Sequence, residues 1–282
     1  MKTILSGKVK EIVIDTDGPV VIIGECINPT RRKKLVSALQ AGNFEYVLEL
    51  AANQIDAQAD VLDVNVGFPG VDDVRLLPET VIMLQDNFDI PLCLDSPNPE
   101  AIEAALKVSR GKCLINSVNG EEKSINMLLP VAKEYGAAII GLTMDDEGIT
   151  RDPHKRLSIA EKIIERAVKT GIREEDIIID PLAMAVSADP DACIVTLETI
   201  RLVHEKLGHN ITMGASNISF GLPEREMLNM AFIVMAIKAG LTCPIANPEK
   251  ITSAVRAADL VLGRDEYAMR FIESSQKLKI RP

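Results

Sequence analysis

Apolar runs and amphipathic stretches alternate along almost the whole chain. The runs of apolar, often β-branched residues are Val20–Cys26, Val61–Val66, Pro91–Asp95, Lys112–Asn116, Ala137–Thr143, Ile177–Asp180, Ile211–Ala215 and Thr242–Ala246. The stretches with a helical period include Val47–Gln58, Ala101–Ser109, Leu157–Lys169 and Ala192–Lys206. Continuous apolar runs are typical of parallel strands that are buried on both faces. The alternation therefore predicts parallel strands connected by helices.

Eight such repeats in a chain of 282 residues predict a (β/α)₈ barrel. The alternative is an open doubly wound sheet, but the first strand-to-helix turn, residues 24–28, lacks a Gly-x-Gly-x-x-Gly phosphate cradle. No composition shift or linker marks a second domain, so one domain over residues 1–282 is expected. Weak alternation from Ile4 to Asp17 predicts a short hairpin or plug ahead of the barrel.

Three of the predicted helices carry a recognisable start. Asn98, Asp189 and Asn247 each precede a proline. Each is therefore predicted to cap a helix whose first residue is that proline. For Asn247, capping competes with ligand binding as the interpretation, and we favour capping.

Charge and hydropathy exclude two classes of partner. A net charge of −10 and an isoelectric point near 5 have the wrong sign for a groove that follows nucleic-acid phosphates. The short basic run at residues 31–34 is interpreted as the solvated start of a helix. The longest apolar run, Met230 to Ile237, is far shorter than the ~20 residues that a membrane span requires. With no signal-peptide pattern and five scattered cysteines, we expect a cytoplasmic protein.

Polar side chains stand where the predicted strands end. In a (β/α)₈ barrel the carboxyl ends of the strands form the face that carries the active site. The polar residues that reach this face are Glu25, Asn28, Asp63, Asn65, Asp95, Ser96, Asn116, Ser117, Asp145, Asp180, Ser216, Asn217 and Asn247. So many hydrogen-bonding groups on one rim predict a pocket for a flat, polar ligand.

This set contains no His, Lys or Arg, which disfavours several kinds of chemistry. Phosphorylated substrates usually need a cation or a nest of amides, and a Schiff-base aldolase needs a lysine in the barrel. The three histidines, His154, His204 and His209, have no metal-site spacing and supply no base for a nucleophilic triad. We therefore expect no metal bound by this chain.

Carboxylates and carboxamides suit a heterocycle with donors and acceptors along one edge. A 2-amino-4-oxo-pyrimidine presents an amino group beside a ring N–H, and one carboxylate accepts from both. Asp180 or Asp95 fits that role, and Asn116 fits a neighbouring ring nitrogen and carbonyl. Structural interpretations stay open, because Asp95 and Asp180 precede turn-forming residues, and Asp63 and Asn65 alternate along one strand.

The strand-end residues fall within motifs of a known family. The motifs are Ile23-Gly24-Glu25-Cys26-Ile27-Asn28, Leu62-Asp63-Val64-Asn65-Val66-Gly67, Leu94-Asp95-Ser96, Ile115-Asn116-Ser117, Gly141-Leu142-Thr143-Met144, Ile179-Asp180-Pro181 and Gly214-Ala215-Ser216-Asn217-Ile218-Ser219-Phe220. In this order they resemble those of the methyltetrahydrofolate–corrinoid/iron-sulfur-protein methyltransferase family of pterin-binding methyltransferases. Its members move a methyl group between tetrahydrofolate and the cobalt of a corrinoid protein. The folate module of cobalamin-dependent methionine synthase is related to them.

The resemblance implies a role for each strand-end residue. In the family, residues matching Asp95, Asn116 and Asp180 hold the pterin ring. The residue matching Asn217 hydrogen-bonds N5, the nitrogen that carries the methyl group. Asn217 is therefore the expected catalytic residue, and the expected substrate-binding residues are Asp95, Asn116, Asp180, Asp63, Asn65, Glu25 and Ser216.

The resemblance also implies the substrates and partners. Tetrahydrofolate or methyltetrahydrofolate is the expected small-molecule substrate. Because the chain lacks an Asp-x-His-x-x-Gly corrinoid-binding motif, cobalamin is expected to arrive on a separate corrinoid protein. Family members of this size are commonly homodimers, so a homodimer is expected. The direction of transfer stays open, and one option is a demethylation system that feeds methyl groups into tetrahydrofolate.

The chain departs from the family pattern at two places. Cys26 stands where the family usually has Arg, so a positive charge at the end of the first strand is expected to be missing. The segment after Phe220, residues 221–225, differs from the methionine synthase module and bears on the choice of corrinoid partner.

Two alternative functions stay open. A dihydropteroate-synthase-like enzyme would need a lysine and a basic loop for its pyrophosphate leaving group, and Lys238 is predicted to lie in the middle of a helix. A non-catalytic pterin-binding subunit of a corrinoid complex would use the same pocket as the enzyme.

Overall fold

Eight parallel strands form a nearly closed barrel in the computed structural model, which describes residues 1–280 and the side chains of residues 1–277. After an N-terminal hairpin, β1 (Lys2–Ser6) and β2 (Glu11–Asp15), the barrel strands are β3 (Ile23–Ile27), β4 (Val61–Val64), β5 (Leu92–Asp95), β6 (Leu114–Asn119), β7 (Ala138–Leu142), β8 (Ile177–Asp180), β9 (Thr212–Gly214) and β10 (Cys243–Ala246). The pairing order is β8-β7-β6-β5-β4-β3-β10-β9, and a parallel bridge between Ile179 and Ile211 joins β8 to β9. The predicted (β/α)₈ barrel is confirmed.

Helices follow the barrel strands and cover the outside of the barrel. They are α1 (Lys33–Gln40), α2 (Glu45–Asp56), α3 (Asp73–Asn87), α4 (Pro99–Val108), α5 (Glu122–Tyr135), α6 (Pro153–Thr170), α7 (Ala192–Leu207), α8 (Arg225–Ala239), α9 (Pro248–Val261) and α10 (Met269–Ile280). Short 3₁₀ turns lie at Glu174–Asp176, Ala215–Ser219 and Glu266–Ala268. The four stretches predicted from helical periodicity coincide with α2, α4, α6 and α7, so these predictions are confirmed.

Two of the three predicted helix starts are capped as expected. Asn98 and Asn247 each accept a hydrogen bond from the backbone N–H two residues on, at 3.1 and 3.0 Å. The Asp189 carboxylate also accepts a hydrogen bond from the backbone N–H two residues on, at 3.1 Å, and it pairs with Arg151 at 2.9 Å. The predicted helix start is wrong by two residues, because α7 begins at Ala192 and not at the proline. An ion pair across two loops has no local signal in the sequence.

The N-terminal hairpin closes the amino end of the barrel, which confirms the predicted plug. Leu5 and Ile14 of the hairpin are buried in one apolar cluster with residues from seven barrel strands, among them Ile23, Leu114 and Ile178. Because apolar side chains fill this end of the barrel, a polar ligand has access from the opposite, carboxyl face.

A second and larger apolar cluster lies between the strands and the surrounding helices. It includes Leu62 and Leu92 from the strands and Phe232 from α8. This layer fixes the strand ends relative to one another, because interiors packed at crystal-like density resist deformation. None of the helices described is both long and apolar enough to cross a membrane.

Candidate functional site

Six of the predicted site residues form three hydrogen-bonded pairs at the carboxyl face of the barrel. Asn116 Nδ2 donates to Asp63 Oδ1 at 3.2 Å, Asn65 Nδ2 donates to Asp95 Oδ2 at 2.9 Å, and Ser216 Oγ donates to Glu25 Oε1 at 2.7 Å. The pairs bring together the ends of β3, β4, β5 and β6 and the turn after β9. An ionised carboxylate has about four lone-pair positions, so each carboxyl group keeps acceptor capacity for a ligand.

Asp180 ends β8 and is held by the turn that follows it. Its Oδ1 accepts a hydrogen bond from the backbone N–H of Leu182 at 2.7 Å. Leu182 has a φ of +62°, which is the left-handed region that leucine rarely adopts. The buried Arg156 of α6 donates to the carbonyl oxygens of Pro181 and Leu182, at 2.6 and 2.9 Å. Arg156 therefore stabilises the turn that orients the Asp180 carboxylate.

Asn217 lies on the 3₁₀ turn after β9, and its side chain is exposed. Arg225 at the start of α8 holds this turn, because its guanidinium donates to the Ser216 carbonyl oxygen at 2.9 Å and to the Ser219 hydroxyl at 3.1 Å. A Cβ on Gly214 would lie 3.1 Å from Asn217 Nδ2, so glycine leaves room for the carboxamide. Asn217 thus stands next to Ser216, with its carboxamide open to solvent.

Burial raises the pKa of the four carboxyl groups among the predicted substrate-binding residues. Loss of hydration is the largest cause for Glu25, Asp63, Asp95 and Asp180, and the Asp95 charge raises the pKa of Asp63 further. Burial raises the pKa of Asp180 to about 7, although the hydrogen bond from Leu182 lowers it. Carboxyl groups short of hydration gain most from a ligand that donates hydrogen bonds to them. The electrostatics therefore favour a ligand edge of N–H donors over an anion.

A cleft of about 420 Å³ opens beside these groups, at the ends of β5 and β6. Its lining includes Asp95, Ser96, Asn116, Ser117, Asn119 and Lys123. The volume lies in the range of roughly 300–1,000 Å³ that small-molecule pockets occupy. Lys123 is a cation near the predicted site that the sequence analysis missed, because it belongs to a helix and follows no strand end.

The expected absence of a positive charge at the end of β3 is wrong. Arg32 Nη1 donates to the carbonyl oxygen of Cys26 at 2.8 Å. Burial raises the pKa of Glu25 and of Cys26, and the Arg32 charge offsets part of each rise. Arg32 and Arg156 were both missed as site residues, because no local pattern shows that a basic side chain near a helix start turns back toward a strand end.

The histidines do not join the strand-end residues. His154 is exposed at the start of α6, and His209 is buried at the amino end of the barrel, where Nδ1 lies 3.0 Å from the Leu207 carbonyl oxygen. Among the residues that the structure describes, no group of three or more His, Cys, Asp and Glu side chains is arranged to hold a metal ion.

The family model of pterin binding enzymes matches residues 24–247 of the chain. The matched region begins one residue before Glu25 and ends at Asn247 after the last barrel strand. It therefore contains every residue of the predicted site.

A corrinoid methyltransferase and two methionine synthases are among the curated proteins that are similar in sequence. A methylcorrinoid:tetrahydrofolate methyltransferase of Eubacterium limosum is 29% identical over 273 residues, which cover 93% of this chain and 98% of that protein. A methionine synthase of Mycobacterium tuberculosis is 32% identical over 248 residues, which cover 83% of this chain and 21% of that protein. The methionine synthase of Mycobacterium leprae is 30% identical, with coverages of 82% and 20%. The chain thus spans about a fifth of the length of these methionine synthases.

Solved structures of dihydropteroate synthases share the fold. The Yersinia pestis enzyme with a pterine-sulfa conjugate gives a TM-score of 0.73 at 18% identity, covering 93% of this chain and 99% of that chain. The 7,8-dihydropteroate synthase from Vibrio fischeri gives a TM-score of 0.70 at 17% identity, with the same coverages. At these identities the similarity concerns the fold.

Proposed function

The chain belongs to the pterin-binding enzyme family, and we propose that it moves a methyl group between N5 of tetrahydrofolate and the cobalt of a corrinoid protein. The observation that carries the proposal is the group of buried strand-end carboxyl groups with raised pKa values beside the exposed Asn217. Similarity over nearly the full length to a methylcorrinoid:tetrahydrofolate methyltransferase supports it.

In this proposal the strand-end residues hold the pterin ring by its 2-amino-4-oxo edge. Asp180 and Asp95 accept hydrogen bonds from the amino group and ring N–H, and Asn116 meets the neighbouring ring atoms. Asp63 and Asn65 hold Asn116 and Asp95 in place through the bonds of 3.2 and 2.9 Å. A pocket of this kind rejects analogues that leave its buried polar groups unpaired.

The transfer is a displacement at the methyl carbon. When methyl-cobalt(III) is the donor, the N5 lone pair attacks the methyl group, the carbon–cobalt bond breaks, and its electron pair stays on the metal as cobalt(I). N5 then carries a positive charge and releases its proton to solvent. The Asn217 carboxamide oxygen accepts a hydrogen bond from N5–H that strengthens as this charge develops. Such an interaction contributes on the order of 2–4 kcal/mol to the transition state.

We further propose that the methyl group passes from a methylated corrinoid protein to tetrahydrofolate. The relative whose name states this direction matches 93% of this chain and 98% of its own length. The match to the M. tuberculosis methionine synthase covers only 21% of that protein, so about four-fifths of its sequence has no counterpart in this chain. In this proposal cobalamin is a substrate that a partner protein carries, because residues 1–282 contain no Asp-x-His-x-x-Gly corrinoid-binding motif.

A dihydropteroate-synthase-like condensation is the second candidate. The observation that favours it is Lys123, a cation that lines the cleft beside Asp95 and Asn116. Lys238 does not serve it. The predicted position in the middle of a helix is wrong, because Lys238 lies in the last turn of α8 beside His204 of α7, at the amino end of the barrel. The nearly full-length match to a methyltransferase makes methyl transfer the first candidate.

We also propose that two copies pair through the outer faces of α7 and α8. Ile194 on α7 and Met227, Val234 and Met235 on α8 are large apolar side chains that are exposed in the single chain. Pairing would remove this apolar area from water. Met235→Glu should then convert a dimer into a monomer in light scattering, and a monomeric wild type contradicts the proposal.

Identification of the labelled product tests the proposed reaction. The protein is incubated with ¹³C-methylcobalamin and tetrahydrofolate, and separately with ¹³C-methyltetrahydrofolate and reduced cobalamin. We expect ¹³C-methyl at N5 in the first mixture by NMR. A third mixture, dihydropterin pyrophosphate with p-aminobenzoate, should yield no pteroate. Pteroate formation would support the condensation, and folate binding without transfer in either direction would support a non-catalytic subunit.

A further inference from the structure

A second cleft lies on the same face of the barrel, on the side of β3 and β4. It has a volume of about 620 Å³ and separates the start of α1 from the loop after β4. Its lining combines apolar and cationic side chains, including Pro29, Phe68, Arg31, Arg32 and Lys33. The cleft adjoins the proposed pterin pocket, because Asn65 Oδ1 accepts a hydrogen bond at 2.7 Å from the backbone N–H of Gly67, which also lines the cleft.

Cations are concentrated at this cleft although the chain has a net charge of −10. Arg31 and Lys33 are exposed. The next cation, Lys34, turns away from the cleft, because its ammonium lies 3.7 Å from the centroid of the Tyr46 ring and 3.9 Å from Glu49 Oε2. Lys34 therefore does not line the cleft, whereas the three preceding cations, Arg31, Arg32 and Lys33, do.

Arg31 connects the cleft to the mouth of the barrel near Asn217. Its guanidinium carbon lies 4.4 Å from the centroid of the Phe220 ring. Phe220 directly follows the 3₁₀ turn that carries Asn217. Arg31 and Lys33 form the cationic lip of the cleft. This lip and the exposed Phe220 ring are therefore on the Asn217 side of the proposed pterin pocket.

The covalent structure of a folate directs its tail toward this side. The p-aminobenzoyl-glutamate tail is attached at C6, and C6 is bonded to N5. With the 2-amino-4-oxo edge at Asp95, Asn116 and Asp180 and N5 at Asn217, the C6 substituent leaves the ring beside Asn217. The tail consists of an aromatic ring followed by carboxylates, which matches an apolar cleft with cations at its lip.

We propose that this cleft binds the p-aminobenzoyl-glutamate tail of the folate and that Arg31 and Lys33 pair with its carboxylates. The chain then prefers poly-γ-glutamylated folates to pterins without a tail. This inference rests on the proposed pterin site and names the form of its substrate. A docking site for the corrinoid protein is the rival use of the same cations. The tail is favoured because the cleft has the volume of a small-ligand pocket and lies beside C6.

Binding measurements with three ligands test the proposal. The dissociation constants of tetrahydrofolate triglutamate, tetrahydrofolate monoglutamate and 6-methyltetrahydropterin are determined by calorimetry at low and high salt. We expect the triglutamate to bind most tightly, with a preference that shrinks as salt screens the charges. Arg31→Gln/Lys33→Gln should weaken triglutamate binding about tenfold and change binding of the tail-less pterin less than about twofold. Lys34→Gln, the matched control on the same helix, should change none of the three.

Several outcomes would overturn the proposal. Equal affinity of the wild type for the triglutamate and the tail-less pterin shows that the tail makes no contact that stabilises binding. Variants that bind folates like the wild type, but need more corrinoid protein for half-maximal transfer, show that the cleft is a docking site for that protein. Binding of none of the three ligands contradicts the proposed function itself, which is a different result from tail-independent binding.

Discussion

At the scale of single residues, the strand-end carboxyl groups are arranged for a ligand more than for stability. Asp63 and Asp180 are buried, and each is held by an amide N–H, from Asn116 and Leu182, instead of by a cation in contact. The apolar runs of the sequence were enough to place these residues at strand ends. The pairing of their side chains was not predictable, because it depends on which strand-end residues the barrel register brings together.

The pH dependence of folate affinity follows from the raised pKa of Asp180, about 7 in the free protein. The pterin N–H groups bind the ionised carboxylate, so protonation of Asp180 competes with the ligand. Affinity for tetrahydrofolate should therefore fall about tenfold between pH 8 and pH 6, with proton release on binding at pH 7. Calorimetry in two buffers of different ionisation enthalpy measures both quantities. Affinity that is constant or higher at pH 6 would contradict this role of Asp180.

The same pKa predicts that Asp180→Asn stabilises the unliganded protein. Between pH 3.8 and about 7 the folded state holds a proton that the unfolded chain has released, so stability falls as pH rises through this window. At pH 8 the variant should gain about 2–4 kcal/mol over the wild type, with little gain near pH 4. Thermal unfolding at both pH values measures the gain, with the exposed Asp191→Asn as control. If the gain in stability were the same at both pH values, the raised pKa of Asp180 would not be its cause.

At the scale of elements, function depends on short segments after the strands. The turn after β8 has Leu182 at a φ of +62°, and Arg156 holds it from α6. The 3₁₀ turn after β9 is held by Arg225 from α8. Helical periodicity predicted α6 as a helix. It could not show that Arg156 points into the protein, because an arginine in a first turn is usually solvated.

Gly214 directly precedes the 3₁₀ turn that carries Asn217. Gly214 has a φ of −70°, so alanine is tolerated by the backbone, but its Cβ would lie 3.1 Å from Asn217 Nδ2. Gly214→Ala should displace the carboxamide and lower kcat about tenfold, with the folate Kd nearly unchanged. In an Asn217→Ala background the same substitution should cause no further loss. A further loss there would show that Gly214 acts on something other than Asn217.

At the scale of the whole molecule, the repeating pattern was sufficient for the architecture. Eight apolar runs predicted eight parallel strands, and the alternation from Ile4 to Asp17 predicted the hairpin that plugs the amino end. The charges at the carboxyl face were less predictable. Arg32 reaches it from the position directly before α1 and Lys123 from α5, and their approach depends on how these helices pack around the barrel. The face therefore combines strand-end acceptors, which the sequence reveals, with cations that only the folded chain brings near.

The central claim is that this face holds a pterin and passes a methyl group between its N5 and cobalt with the help of Asn217. A single-turnover experiment tests it most directly, with methylcobalamin and saturating tetrahydrofolate followed through the cobalt absorption spectrum. The wild type should convert methyl-cobalt(III) to cobalt(I) in step with methyltetrahydrofolate formation. Asn217→Ala should bind folate with nearly the same Kd and transfer roughly 100- to 1,000-fold more slowly. A wild type that binds tetrahydrofolate and leaves the spectrum unchanged in both directions, even with its corrinoid partner, would contradict the claim.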